Sequence, residues 1–141
     1  MSTPHEILNP ASLAPARGFS HAVSATGGRT VFLGGQTGIG SDGELVADDL
    51  VGQFGAAARN VVAALEAARA APSHLVSLQI FVTDVDEYRS SLSDLGHAYR
   101  EHFGAHYPAV ALFEVAGLFD RAAKVELVGI AVVPPIENEN E

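Results

Sequence analysis

No cysteine occurs among the 141 residues, which excludes disulfides, thiolate nucleophiles and thiolate metal sites and leaves the redox compartment unmarked. Cations are also scarce: 8 Lys+Arg stand against 17 Asp+Glu, a formal net charge of -9. Arg17, Arg29, Arg59, Arg69, Arg89, Arg100, Arg121 and Lys124 are scattered, so no basic stripe offers itself to a nucleic acid or an anionic membrane. No apolar run approaches the ~20 residues that span a bilayer. The opening "MSTPHEILNPASLAPARGF" has no basic segment followed by a continuous apolar one. These absences lead us to expect a cytoplasmic, soluble protein that binds neither nucleic acid nor membrane.

What is present is a core. Hydrophobic residues make up 48% of the chain, enough for one compact domain, expected over 1–135, with an acidic disordered tail over 136–141 ("IENENE") after Pro134-Pro135. "FSHAVSA" alternates apolar and polar positions and predicts a strand. The Gly27-Gly28 pair before Thr30–Leu33 is a hairpin signal, because glycine tolerates positive φ. From Asp48 to Ala71, apolar residues at Leu50, Phe54, Ala57, Val61, Leu65 and Ala68 keep the three-and-four spacing of one helical stripe, with Asp48 or Asp49 as the cap.

Pro72-Ser73 stops that helix, and "HLVSLQIFVTD" predicts a strand with Val76, Leu78, Ile80 and Val82 on one face. A second helix is expected from Asp84 or Asp86 to about Phe103, carrying the stripe Tyr88, Leu92, Leu95, Tyr99 and Phe103 and ending at Gly104. Two further strands follow, Val110–Val115 and Lys124–Val133. The predicted order is β-β-α-β-α-β-β, an α+β mixed sheet with two helices on one face. Apolar positions on the other face need a cover, which points to subunits packing sheet to sheet.

Four glycines fall within Gly34–Gly40, but neither a Gly-Lys-Ser/Thr ending nor Gly-x-Gly-x-x-Gly spacing accompanies them, so tight turns explain them better than a phosphate cradle. His97 and His102 are five apart, wrong for two metal ligands on one helical face. Ser20 and His21 point to opposite sides of one strand and cannot form a nucleophile–base pair with each other.

The segments "GFSHAV", "VFLGGQTG", "FVTDVDEY", "YREHFGAHYPAVALFEVAGL" and "KVELVGIAVV", in this order, resemble the RidA (YjgF-type) reactive-intermediate deaminase family over nearly the whole chain. The resemblance implies a chorismate-mutase-like fold and a homotrimer whose sheets form a central barrel. It further implies clefts between subunits that hydrolyse imines or enamines such as 2-aminoacrylate, without metal or organic cofactor. In the family, an arginine directly after Pro-Ala clamps the substrate carboxylate.

Here Val110 follows Pro108-Ala109, and an aliphatic side chain offers no charge-assisted hydrogen bond to an anion. Other positions that the resemblance assigns to substrate binding depart too. Phe19 stands for a tyrosine, Gly34 for the serine before Gly-Gln36, Ala111 for a serine, and Leu112 for a small polar residue or cysteine. Glu114 and Glu126 match the family's glutamates, Glu126 the one thought to position water or a proton. Structural explanations stand beside these roles: Glu126 could pair with Lys124, Glu114 could cap backbone amides, and Phe19 could be interface packing. Arg17 and Arg121 could replace the missing cation from loops. Two functions remain open, an imine or enamine hydrolase with weak or no 2-aminoacrylate activity and a non-catalytic trimeric module for a metabolite or protein. RNA cleavage, attached to some family members, fits poorly with the net charge of -9.

Overall fold

The computed structural model describes residues 2–136, so the expected tail lies outside the described residues except for Ile136. Its strands are β1 (Glu6–Leu8), β2 (Ala22–Ser24), β3 (Arg29–Phe32), β4 (Leu75–Val82), β5 (Ala109–Glu114) and β6 (Val125–Val133); its helices are α1 (Leu50–Ala67), α2 (Val85–Ser90) and α3 (Leu92–Phe103). Four strands form a mixed sheet in the order β3-β6-β4-β5, in which only β4 and β5 run parallel. The parallel pair is joined through α2 and α3, as a crossover requires. β1 and β2 form a separate antiparallel ribbon.

Helix α1 begins where Asp49 accepts a hydrogen bond from the Gly52 amide at 3.1 Å. It buries Leu50, Phe54, Ala57, Val61 and Leu65 against β6 and α3. Its end comes before the expected Ala71, because Arg69 turns into the left-handed region (φ 57°) and the Ala70 amide reaches back to the Leu65 carbonyl. The second helix is broken in two at Ser91 (φ -113°, ψ 15°). Ser90 Oγ bonds the Glu87 carbonyl at 3.0 Å, drawing on an acceptor at the helix end. Leu92, expected in the buried stripe, is 57% exposed as a result, while Leu95, Tyr99 and Phe103 are buried.

Three strand expectations are corrected. A register shift between Leu75 and Ser77 turns Leu75, not Val76, into the core with Leu78, Ile80 and Val82. Gly27 and Gly28 do adopt positive φ (68° and 89°), yet they join strands of different sheets and close no hairpin. The predicted strand from Phe19 is divided as well: Ser20 bridges Ala109 of β5, and only Ala22–Ser24 pairs, with the unpredicted β1.

Both main helices lie on one face of the four-stranded sheet. On the other, Phe81 and Phe113 stack at 5.4 Å between ring centroids, and Phe32 is 75% exposed. Among the described residues no element covers this open face, and no helix is long and apolar enough to cross a membrane.

Candidate functional site

The alternation of β5 divides the expected site residues between two faces. Val110 and Leu112 pair in register with the buried Leu78 and Ile80 and share their helix-side face; Ala111 and Phe113 pair with Gln79 and Phe81 and share the open face. Val110 and Leu112 line a cavity of about 440 Å³ between the β5 edge of the sheet and helices α2 and α3. Its floor is Phe54, Ile80 and Leu95, all 3% exposed or less. Phe19 forms a side wall, held by the Ser20 amide bonding to the Pro108 carbonyl at 2.9 Å.

Three tyrosines complete the lining. Tyr99 stacks on Tyr107 at 5.2 Å and donates its hydroxyl to the His106 carbonyl at 2.6 Å. Burial pushes the Tyr99 phenol, and that of Tyr88, above the ordinary tyrosine value, so both stay neutral donors. His106 beneath them is buried and bonds the Leu75 carbonyl through Nε2 at 2.7 Å; burial depresses its basicity, which keeps the ring neutral. Arg17 and Arg100 also line the cavity, whereas Arg121 does not.

Glu126 belongs to the other face. It sits opposite Phe81 across β4 and β6, half-buried, with its carboxylate against Gly35: a Cβ on Gly35 would lie 2.8 Å from Glu126 Cδ. Gln36 holds that glycine in place, exchanging main-chain hydrogen bonds with Leu127 at 2.8 Å each and donating Nε2 to the Gly34 carbonyl at 3.3 Å. The pairing of Lys124 with Glu126 does not form. Lys124 Nζ instead spans both oxygens of Glu87 at 3.1 and 3.2 Å. The Lys124 amide is fixed by buried Gln53, which accepts it at 2.7 Å and donates to the Ala47 and Ala122 carbonyls.

Glu114 lies outside the cavity lining, and its Oε2 accepts the Val85 amide at 2.8 Å at the start of α2. Ala111 lines a second depression of about 270 Å³ with Ser77 and Gln79, and Phe19 and Val110 at the β5 edge border both hollows. Tyr88, Tyr107, Arg100 and Gly35 were not among the expected site residues. Tyr88 shows in the sequence only as helical stripe, and Arg100 sits one residue past the Tyr99 stripe position. Among the described residues no group of His, Asp and Glu converges as a metal site requires.

A family model described as Endoribonuclease L-PSP matches residues 9–133. The chain belongs to this family, the RidA (YjgF) family. Among RidA-family relatives, a 2-iminobutanoate/2-iminopropanoate deaminase of Capra hircus is 30% identical over 128 residues, 90% of this chain and 86% of the relative. The Rid-family protein YyfB of Yersinia pestis superimposes with a TM-score of 0.83 at 28% identity, covering 92% of this chain and 98% of that one. E. coli TdcF, crystallised with bound serine, gives 0.66 at 26% identity over 89% and 93% of the two chains. These likenesses agree with the mixed α+β architecture.

Proposed function

We propose that this chain assembles as a homotrimer whose intersubunit clefts hydrolyse an imine or enamine other than 2-aminoacrylate, with Glu126 orienting the water. The observation that carries this reading is the division of the site across one sheet. The cavity of Phe19, Val110 and Leu112 opens on the helix side, and Glu126 with Gly34, Gly35 and Gln36 lies on the side of the open face. One chain cannot bring both halves to one ligand, whereas a neighbour packed by its apolar open face against the edge at β5 can.

In such a cleft the Glu126 carboxylate takes a proton from water as the oxygen adds to the C=N carbon. That proton passes to the imine nitrogen to give a carbinolamine, whose hydroxyl proton then moves through the same carboxylate to nitrogen as the C–N bond breaks, releasing a carbonyl compound and ammonia; an enamine enters after tautomerising to the imine. The deaminase name of the goat relative supports the reaction class. Val110 and Leu112 in the cavity support a change of substrate, because neither can hold a carboxylate there. The family model's name points to RNA cleavage, and a net charge of -9 argues against that activity here.

The test is to generate imines from a panel of amino acids and follow carbonyl release with and without the protein, wild type against Glu126→Gln. Acceleration that is lost in Glu126→Gln supports the proposal. No acceleration of any imine, with ligand binding unchanged in Glu126→Gln, supports instead a non-catalytic binding module, the reading that the apolar wall around Val110 favours.

A further inference from the structure

The cavity beside Val110 has lost its expected cation but is not without charge. Of the residues lining it, two are ionised and both are arginines; no carboxylate lines it. Arg17 comes from the loop before β2 and Arg100 from α3, and both are exposed, whereas the apolar floor of Phe54, Ile80 and Leu95 is buried. The Arg100 guanidinium is folded back along α3 over Gly96, another lining residue, where a Cβ would come within 3.2 Å of Nη1. Among the described residues, ion pairs form between Arg89 and Asp86 and between Lys124 and Glu87, and neither Arg17 nor Arg100 takes part in one.

We propose that this cavity binds an amphipathic organic anion, an aromatic or branched apolar body bearing one carboxylate, with the body on the Phe54–Ile80–Leu95 floor and the carboxylate at the rim between Arg17 and Arg100. The proposal rests on the reading above only in taking the cavity as the ligand site. It reverses the orientation that an arginine at position 110 would impose: the anionic end stays at the wet mouth, where two guanidinium groups cost little to keep charged, and the apolar end goes inward. The volume of about 440 Å³ lies within the usual ~300–1,000 Å³ range of small-molecule sites. A three-carbon imino acid would leave most of it empty, and an arylalkyl acid would fill much of it.

The chain carries its own reporter. It has 3 tyrosines and no tryptophan, and Tyr88, Tyr99 and Tyr107 all line the cavity, so the tyrosine fluorescence arises wholly at the site. The experiment is a fluorescence titration of the whole protein with 3-phenylpropanoate, its neutral amide 3-phenylpropanamide, and propanoate. The acid should bind at least about tenfold tighter than the amide at low salt, with the advantage shrinking as salt rises. Propanoate should bind weakest.

Arg17→Gln and Arg100→Gln should each remove much of the acid's advantage and leave the amide's affinity unchanged, and Arg100→Lys should keep part of it. Equal binding of acid and amide, no binding of either, or an acid preference that survives the double glutamine variant would overturn the proposal. Thermal midpoints of the variants separate loss of binding from loss of fold. If the acid preference holds while no imine is hydrolysed, the hydrolase reading falls and this one stands. If imines are hydrolysed with no acid preference, this one falls alone.

Discussion

Adding a single methyl group at Gly35 should separate activity from stability. In Gly35→Ala the new Cβ would lie 2.8 Å from Glu126 Cδ, 3.0 Å from Oε2 and 3.2 Å from Cγ. Carbon atoms in contact sit at about 3.5–4.0 Å, so the carboxylate must retreat by roughly 0.7 Å or more. It is the far end of a flexible side chain, and an off-rotamer displacement costs about 0.5–1.5 kcal/mol, which for a domain of this size lowers the thermal midpoint by about 2–6 °C. Its effect on chemistry should be larger, because a positioned general base contributes about 10²–10⁴ in rate and depends on hydrogen-bond geometry. Turnover should therefore fall at least about tenfold with KM nearly unchanged, approaching the loss in Glu126→Gln. Gly34→Ala is the matched comparison: the same methyl there meets nothing within 4 Å, and its midpoint should stay close to wild type. The assay is carbonyl release from whichever imine of the panel is accelerated, beside thermal unfolding. Wild-type turnover in Gly35→Ala, or equal losses in both glycine variants, would refute the placement of Glu126 as the group that orients water.

Other perturbations test separate parts of the account. Val110→Arg should recover only part of a 2-aminoacrylate activity, because Phe19, Gly34 and Ala111 also differ from the family pattern; rates matching those of arginine-bearing relatives, in the variant or in wild type, would contradict this. Gln53→Leu strands the Lys124 amide and the Ala47 and Ala122 carbonyls in the interior and should cost about 2–4 kcal/mol in urea unfolding, so a loss well under 1 kcal/mol would show that these bonds are dispensable. His74 and His106 are both held below 6.5, chiefly by burial, so as pH falls through that value the unfolded chain takes up protons first. Stability should be full above about pH 7 and decline as the pH falls below about 6.5, less steeply in His106→Asn, and an unfolding midpoint that stays flat as the pH falls would oppose the assignment.

Much of the fold was legible because it depends on local pattern. The stripe from Leu50 to Leu65, the Asp49 cap, the stop at Gly104 and the alternation of β6 follow from periods of 3.6 and 2. What was missed depends on approach between distant segments. Arg69 takes a left-handed turn that composition does not announce in an alanine-rich run, and the shift at Leu75 follows from pairing with Ala131 on a strand about fifty residues away. β1 is three residues between Pro4 and Pro10, too short for any period to show.

Of the candidate site, the sequence makes legible which residues come together, not what they do. Position 110 was identified from its neighbours Pro108-Ala109, and the cavity holds Phe19, Val110 and Leu112 as one group. That Lys124 would choose Glu87 over Glu126 was not, since only the fold brings α2 to the start of β6. Gly35 escaped notice because its significance is the space beside it, and Arg100 because a charge on a helix ordinarily belongs to a solvated face.

Mixing two damaged versions of the chain tests the central claim, that each site is shared between copies, most directly. Glu126→Gln removes one half of the site, and Val110→Trp fills the cavity of the other half. Each variant alone should be inactive on an imine that the wild type accelerates. In trimers assembled from equal amounts of both, about one site in four would join an intact cavity to an intact Glu126, and carbonyl release should return to about a quarter of the wild-type rate. Mixed trimers that remain as inactive as either parent would contradict the account.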